Sequence, residues 1–297
     1  MEKIFISHGD IILDNIYDCN LNLIKQDGGG CNWNDLYNLA YMGEKCYALG
    51  SAGNDKEGQI AINSLKKLGI NVDGINIEDK ATNIMNIIFP NQDIEDDNIL
   101  HSWYSPITNT LTMTFSDNMP TKLPEELSDK EIYIILDKFM PVNLEFIKNI
   151  KNKKVCLDVG HIRFFEHFTR QYLVNFLKTA DYMQLNESVI DMLYERLNVH
   201  SEAELFNLLD LDLLVLTRGK RGATFVFKEN DIVQTIHKRP EILVSAVDTS
   251  GAGDAFFSTM VREYAYSNCI DVDFINRTFE LANKSSREIL SKIGSRK

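Results

Sequence analysis

The stretch Asp248–Phe257, with the sequence Asp-Thr-Ser-Gly-Ala-Gly-Asp-Ala-Phe-Phe, places three small residues directly before a helical pattern. Gly251, Ala252 and Gly253 let consecutive backbone N–H groups converge on an anion, and the helix N-terminus adds its partial positive charge. Asp254 follows in the first helical turn, beside the predicted anion site. A carboxylate in that place is suited to accept the proton of a hydroxyl group that attacks phosphorus. The same short pattern also fits an ordinary capped helix with an acidic first turn.

Outward from this stretch, short apolar runs alternate with helical patterns. The runs are continuously apolar, which is typical of strands covered on both faces. Predicted strands are Lys3–Ser7, Lys45–Leu49, Glu131–Leu136, Lys154–Asp158, Tyr182–Leu185 and Leu213–Thr217. Predicted helices include Trp33–Met42, Lys56–Leu68, Val142–Ile150, Thr169–Thr179 and Ser188–Leu197. The last third adds the strands Ala223–Phe227 and Ile232–Ile236 and two helices, one from about Gly251 to Tyr266 and one from Asp271 to Lys292. This order predicts one α/β domain over residues 1–297, a three-layer α-β-α structure with a mostly parallel central sheet.

Two segments, residues 11–27 and 83–104, depart from the strand–helix order. The first begins with an apolar Ile-Ile-Leu triplet followed by a polar loop. The second contains two apolar runs, Ile84–Phe89 and Ile99–Tyr104, with an acidic turn between them and no helix. Together they predict a small β-layer beside the main sheet. An extra edge hairpin is the simpler interpretation of this layer, and a lid over a substrate is the functional one.

The composition narrows the class of protein. The chain has 297 residues, a formal net charge of −12 and a sequence pI of about 5.0, so long-range repulsion argues against nucleic acid as a partner. The five cysteines are scattered without metal-ligand spacing, which indicates reduced packing residues rather than a zinc site. No apolar run approaches the roughly 20 residues that cross a membrane, so we expect a soluble, cytoplasmic protein without a membrane partner.

These segments resemble the signatures of the PfkB (ribokinase-like) carbohydrate kinase family. The stretch Asp248–Phe257 is similar to the family's C-terminal signature, and Gly29–Asn34 has the GGxxxN form of its first signature. Between these two signatures in the sequence, Gly50–Gly58 follows the family's GxxGxDxxG pattern. The resemblance implies transfer of the ATP γ-phosphoryl group to a hydroxyl of a sugar or sugar-like acceptor. Asp254 would be the general base, and the N–H groups of Gly251–Gly253 would stabilise the transferring phosphoryl group.

The resemblance also assigns binding residues. Those that would hold the acceptor are Asp14, Gly29, Gly30 and Asn34. Those that would hold the nucleotide are Asn186, Thr217, Gly219, Gly222 and Asn283. The family's NxxE motif is incomplete here, because Val189 stands where the glutamate that arranges the Mg²⁺ water shell is expected. Glu187 is the candidate metal-site residue, with Asp191 as the alternative substitute, and Arg163 is either a phosphate contact or a solvent-facing arginine. ATP and Mg²⁺ are the expected cofactors, and the need for a monovalent cation stays open.

The acceptor is not determined by the pattern, because ribokinase-like folds serve many substrates. The first segment of the predicted β-layer is short, because only about a dozen residues separate Asp14 from Gly29. This short segment and the missing glutamate favour fructosamine- or ketose-type acceptors, and a nucleoside stays an alternative. A sugar phosphate would need converging cations, for which the candidates are His8, Lys25, Lys45 and His101. A ribokinase-like sugar or nucleotide sensor without catalysis is the alternative class. A dinucleotide oxidoreductase is disfavoured because no GxGxxG follows the first strand. Whether the chain forms a homodimer is left open.

Overall fold

The computed structural model describes residues 2–89, 99–114, 116, 118–138, 140–160, 168–244, 246–291 and 293–296. Within this part of the chain, the main sheet contains β1 (Lys3–Asp10), β4 (Cys46–Gly53), β5 (Asn71–Glu78), β8 (Glu131–Leu136), β9 (Lys153–Val159), β10 (Tyr182–Asn186), β11 (Leu213–Thr217), β12 (Ala223–Glu229) and β13 (Ile232–Lys238). Their spatial order is β13-β12-β11-β10-β9-β8-β1-β4-β5. Neighbours from β11 to β5 pair in parallel, and β12 and β13 pair antiparallel at one edge.

Helices cover both faces of this sheet. They are α1 (Cys31–Tyr41), α2 (Lys56–Lys66), α3 (Pro141–Lys148), α4 (Arg170–Leu177), α5 (Glu187–Leu197), α6 (Glu202–Leu209), α7 (Ala252–Tyr266) and α8 (Val272–Leu290). One hydrophobic cluster contains the apolar faces of α1, α2, α7 and α8. The other contains those of α3 to α6. The predicted three-layer α-β-α architecture is therefore confirmed.

The strand sequences explain why the sheet is buried on both sides. Along β8, Tyr133 and Ile135 join one cluster, and the alternate residues Ile132 and Ile134 join the other. Successive side chains of a strand point to opposite faces, so only a continuous apolar run can serve two helical layers. The same alternation holds in β9, where Cys156 lies between neighbours that face the opposite layer.

A second sheet lies beside the first and corresponds to the predicted β-layer. Its strands are β2 (Ile12–Tyr17), β3 (Leu23–Gly29), β6 (Asn83–Ile88) and β7 (Leu100–Ser102), in the order β3-β2-β6-β7. The turn at residues 90–98 lies outside the described part of the chain. The GxxGxDxxG segment anchors this sheet, since Asp55 caps α2 through the Gly58 N–H at 2.8 Å and accepts the Thr82 N–H at 2.7 Å, directly before β6.

Two elements were not predicted. Strand β5 contains Asn, Asp and Gly, which are rare in strands, and its position comes from parallel pairing with β4. Helix α6 has only eight residues; its N-cap Ser201 accepts the Glu204 N–H, which identifies it as a capped helix once the backbone is known. Among the described residues, no helix has the length and apolar character that a membrane crossing requires.

Candidate active site

The candidate site lies where α7 begins, at the carboxyl ends of the parallel strands. Gly251 has a left-handed backbone with φ of 79°, and a Cβ at this residue would lie 2.4 Å from the Ser295 carbonyl oxygen. Both facts require glycine. At Gly253 an added Cβ would meet no atom within 4 Å, so open space faces the first turn of α7. This turn therefore offers backbone N–H groups, a helix N-terminus and room for an anion.

Asp254 lies at this helix start with 8% of its surface exposed. Its Oδ2 accepts a hydrogen bond of 2.8 Å from Asn34 Nδ2. Burial raises the pKa of Asp254 to about 6, and the Asn34 hydrogen bond and the charge of Arg296 oppose part of that rise. A carboxyl group with this pKa is mostly ionised at pH 7 and is a stronger base than an exposed aspartate.

Helix α1 positions Asn34. The helix begins after Gly30, whose φ of 86° turns the chain out of β3. Its first turn is tied to β1, because Ser7 Oγ donates to the Asn32 carbonyl at 2.6 Å and Trp33 Nε1 donates to the Asp10 carbonyl at 2.6 Å. The Asn34 amide is therefore carried on a fixed helix start that faces α7.

Asp14 lies on β2 against the end of β3. A Cβ at Gly29 would come within 1.8 Å of Asp14 Oδ1, so the carboxylate occupies the space that a side chain would fill. Burial raises the pKa of Asp14 to about 7, and the charge of Arg296 opposes this rise. The structure thus brings Asp14, Gly29, Gly30 and Asn34 to one side of Asp254. These are the acceptor-side residues predicted from the sequence.

Two further carboxylates, Asp35 and Asp158, lie beside Asp254. One oxygen from each of the three groups lies within 4.8 Å of the others. Burial, reinforced by the charge of Asp254, raises the pKa of Asp35 and of Asp158 well above the usual range. Asp35 Oδ1 accepts from Ser258 Oγ at 3.2 Å, whereas its Oδ2 has no partner among the described residues. Neither residue was predicted; the available signal was an acidic residue adjacent to Asn34 on a helix that must be buried.

Replacement of Asp35 by asparagine is expected to stabilise the fold above pH 7. Burial raises the pKa of Asp35 in the folded protein above its value of about 4 in the unfolded chain, so this group increasingly destabilises the fold as pH rises above about 4. An amide carries no such charge. Thermal unfolding of Asp35→Asn at pH 4 and pH 8 should show a gain at pH 8 that shrinks towards pH 4. Asp73→Asn, at an exposed strand residue, is the control, and a lower unfolding midpoint of Asp35→Asn at pH 8 would contradict the expectation.

Arg296 is a third residue at the candidate site that the sequence interpretation missed. It has 5% of its surface exposed, and its Nε donates to Asn34 Oδ1 at 2.9 Å. Its Nη1 donates to Ser64 Oγ at 2.7 Å, and its guanidinium carbon lies 4.9 Å from the Tyr37 ring centroid. No local motif indicates this role, because the residue reaches the site only through the path of the chain after α8.

The predicted nucleotide residues lie at neighbouring strand ends and in α8. Asn186 and Thr217 are paired in register at the ends of β10 and β11, and Asn186 Nδ2 donates to the Gly160 carbonyl at 2.7 Å. Gly219 and Gly222 form the turn after β11, both with positive φ. Asn283 lies on α8, and its Nδ2 has no partner among the described residues.

The metal-site candidate Glu187 is the first residue of α5. Its carboxylate forms an ion pair with Arg221, and its side chain is 45% exposed. Val189, in the first turn of the same helix, is buried in the hydrophobic cluster that contains α3 to α6. Arg163 lies outside the described residues.

The four candidate cations for an acceptor phosphate lie in different surroundings. The His8 ring stacks on Phe146 and contacts the Pro120 carbonyl, and burial lowers its pKa to about 4. Lys45 pairs with Glu2, and Lys25 pairs with Asp27 at 3.2 Å. His101 lies on β7 in the second sheet. These residues do not form one cationic cluster.

The chain is similar to known carbohydrate kinases along almost its whole length. A model of the pfkB family carbohydrate kinases matches residues 20–296. The ATP-dependent 6-phosphofructokinase of Thermoanaerobacterium thermosaccharolyticum is 23% identical over 294 residues, covering 92% of this chain and 86% of that protein. Fructokinase-2 of Oryza sativa is 21% identical over 282 residues, covering 90% of this chain and 82% of that protein.

Solved structures agree in fold. The nucleoside kinase of Methanocaldococcus jannaschii, an archaeal member of the ribokinase family, superposes with a TM-score of 0.73 at 17% identity, covering 99% of this chain and 93% of that chain. The fructokinase of Vibrio cholerae O395, solved with fructose, ADP and calcium ion, superposes with a TM-score of 0.72 at 17% identity. It covers 99% of this chain and 94% of the fructokinase chain. At these identities the likeness shows the ribokinase-like fold.

Proposed function

The chain belongs to the pfkB family of carbohydrate kinases, and on this premise we propose that it transfers the ATP γ-phosphoryl group to a hydroxyl of a neutral sugar, with Asp254 as the general base. The observation that carries the proposal is the position of Asp254. It is buried at the start of α7, hydrogen-bonded to Asn34, between the anion-binding turn and the acceptor-side residues. A base at this position would accept the proton of the acceptor hydroxyl while that hydroxyl lies next to the γ-phosphoryl group.

The proposed reaction has one displacement step. The acceptor oxygen forms a bond to the γ-phosphorus while the bond from that phosphorus to the β,γ-bridging oxygen breaks, and ADP leaves. Asp254 takes the hydroxyl proton and later releases it to solvent. The N–H groups of Gly251–Gly253 stabilise the charge of the transferring group, because they are fixed before the reaction begins. Asp14 and Asn34 hold the acceptor hydroxyls.

Mg²⁺ is proposed to accompany ATP, where it supplies positive charge against the phosphate oxygens. Glu187 is the carboxylate proposed to face it, and its half-exposed oxygens are the ligand type that Mg²⁺ prefers. On the nucleotide side, Asn186, Thr217 and the turn at Gly219–Gly222 would approach the phosphates. Asn283, with its unpartnered Nδ2, would contact the base.

Charge favours a neutral acceptor over a phosphorylated one. The carboxylates Asp14, Asp27 and Asp254 act on Arg296, so its single positive charge is more than compensated. Arg296 is also engaged by Asn34 and Ser64. A phosphate on the acceptor would add about two negative charges beside these carboxylates, and among the described residues the nearby Lys25 is already paired with Asp27. A fructosamine, which carries an amine, satisfies the same condition as a neutral ketose.

The test is ADP release with Mg·ATP across fructose, a fructosamine, ribose, a keto-acid sugar, inosine and fructose 6-phosphate. We expect kcat/KM for the best neutral or amine-bearing acceptor to exceed that for fructose 6-phosphate by at least about tenfold. Repulsion between the acceptor phosphate and the carboxylates of the site needs to raise the activation free energy by only about 1.4 kcal/mol to give this factor. A preference for fructose 6-phosphate would contradict the acceptor class. ATP binding without turnover of any acceptor would instead favour a sensor.

A further inference from the structure

We infer that Arg296 is a positioning residue of the phosphoryl-transfer site, which acts by holding the amide that holds the base. The inference rests on the proposed role of Asp254. It extends the site to a segment, Gly294–Arg296, that no motif in the sequence identifies. The residue is distant in sequence from both groups that it serves, because 262 positions separate it from Asn34.

The hydrogen bonds form a relay with one direction. Arg296 Nε donates to Asn34 Oδ1 at 2.9 Å, and Asn34 Nδ2 donates to Asp254 Oδ2 at 2.8 Å. A guanidinium can only donate and a carboxylate can only accept, so an amide between them has a single satisfied orientation. A flipped amide would place its NH₂ against the guanidinium and its oxygen against the carboxylate. Arg296 therefore selects the amide orientation that supports the base.

Arg296 is itself rigidly held. Its Nη1 donates to Ser64 Oγ at 2.7 Å, and that hydroxyl donates to the Ala61 carbonyl at 2.6 Å within α2. The guanidinium lies 4.9 Å from the Tyr37 ring centroid on α1. Behind it, the Gly294 N–H donates to Asp248 Oδ2 at 2.8 Å. The guanidinium is thus fixed from α1, α2 and the turn before α7, which keeps the relay organised before substrate arrives.

The charge of Arg296 adds a second effect. It lowers the pKa of Asp14 and of Asp254 against the rise that burial causes. The other groups that face Asp254 are Asp35 and Cys31 on α1, Asp158 on β9 and Asp137 after β8. The carboxylates among these neighbours raise the pKa of Asp254, whereas the Cys31 thiol donates a hydrogen bond that lowers it, so loss of the Arg296 charge would raise this pKa further. Activity that needs ionised Asp254 would then begin at a higher pH.

Arg296→Gln tests both effects. We expect kcat to fall roughly 10- to 100-fold, as for loss of alignment at a general base, with KM for ATP unchanged. The acid limb of the pH profile of kcat/KM, which Asp254 places near pH 6, should move to higher pH. Arg296→Lys retains the positive charge but loses the planar guanidinium with its several N–H donors. The acid limb of this variant should therefore stay in place, and its kcat should lie between those of the wild type and Arg296→Gln. Arg277→Gln, at an exposed arginine of α8, is the matched control with unchanged activity.

A double-mutant cycle decides whether Arg296 acts through Asn34. In an Asn34→Ala background, and at a pH above the acid limb where Asp254 is ionised in every variant, Arg296→Gln should cost at most about twofold in kcat, because the relay is already broken. Additive losses would overturn the inference. If Arg296→Gln does not fold, Ser64→Ala is the alternative test, because it removes one hydrogen bond of the guanidinium and leaves Arg296 in place. Wild-type kcat in both Ser64→Ala and Arg296→Lys would overturn it too.

The outcome separates this inference from the proposed function. If Asp254→Asn is inactive and Arg296→Gln has wild-type kcat and acid limb, the positioning role is wrong and the kinase assignment of Asp254 stands. If Asp254→Asn retains activity, the proposed base is wrong, whatever Arg296→Gln does.

Discussion

Asp254→Asn is expected to lower kcat for acceptor-dependent ADP formation by roughly 10³-fold, within the range that general-base catalysis contributes. An amide cannot take the hydroxyl proton, and the carboxylate is the group that lies between the anion-binding turn and the acceptor residues. ATP affinity should change little, because the N–H groups proposed to bind phosphate belong to Gly251–Gly253 and not to Asp254. The measurement is a coupled ADP assay with the best acceptor, alongside ATP binding by calorimetry.

The fold of this variant supplies the control. Burial raises the pKa of Asp254 to about 6, so the ionised group destabilises the folded state above that pH. Replacement by asparagine should therefore leave the unfolding midpoint at pH 8 equal or higher. A loss of activity accompanied by a lower midpoint would point to misfolding, and kcat within tenfold of wild type would show that another group is the base.

Gly251→Ala is expected to lower kcat/KM by about 10²- to 10³-fold, comparable with loss of a donor from an anion-stabilising site. An alanine at φ of 79° has a strained backbone, and its Cβ would lie 2.4 Å from the Ser295 carbonyl oxygen. Because that contact is with backbone, either the turn before α7 or the Gly294–Arg296 segment must move. Both hold groups of the site.

Gly69→Ala separates strain from displacement. Gly69 has φ of 76°, and an added Cβ there meets nothing within 4 Å. This control carries the left-handed strain of about 1–2 kcal/mol in stability without moving a site group, so its kcat/KM should match wild type. Equal losses of activity in the two variants would mean that general destabilisation, and not the anion-binding turn, explains the result.

Most of the layered fold could be predicted from the sequence because its signals are local. Continuous apolar runs such as Glu131–Leu136 have one stable environment, a sheet covered on both faces. Strand β5 could not be predicted in this way, since its Asn, Asp and Gly residues are compatible with a strand only because β4 supplies the pairing. The second sheet was predicted as one small β-layer built from two segments, but the parallel pairing of β2 with β6 that joins them is a long-range contact that no local pattern specifies.

At the candidate site, sequence alone could predict the groups that belong to short motifs. The turn at Gly251–Gly253, the aspartate after it and the Gly-Gly pair before α1 each depend on local backbone geometry, which neighbouring residues specify. The proximity of Asp35 and Asp158 to Asp254, and the hydrogen bond from Arg296 to Asn34, are long-range contacts that appear only in the folded chain. Charges that come from distant parts of the chain leave no local pattern, because their meaning depends on which partners folding brings within a few ångströms.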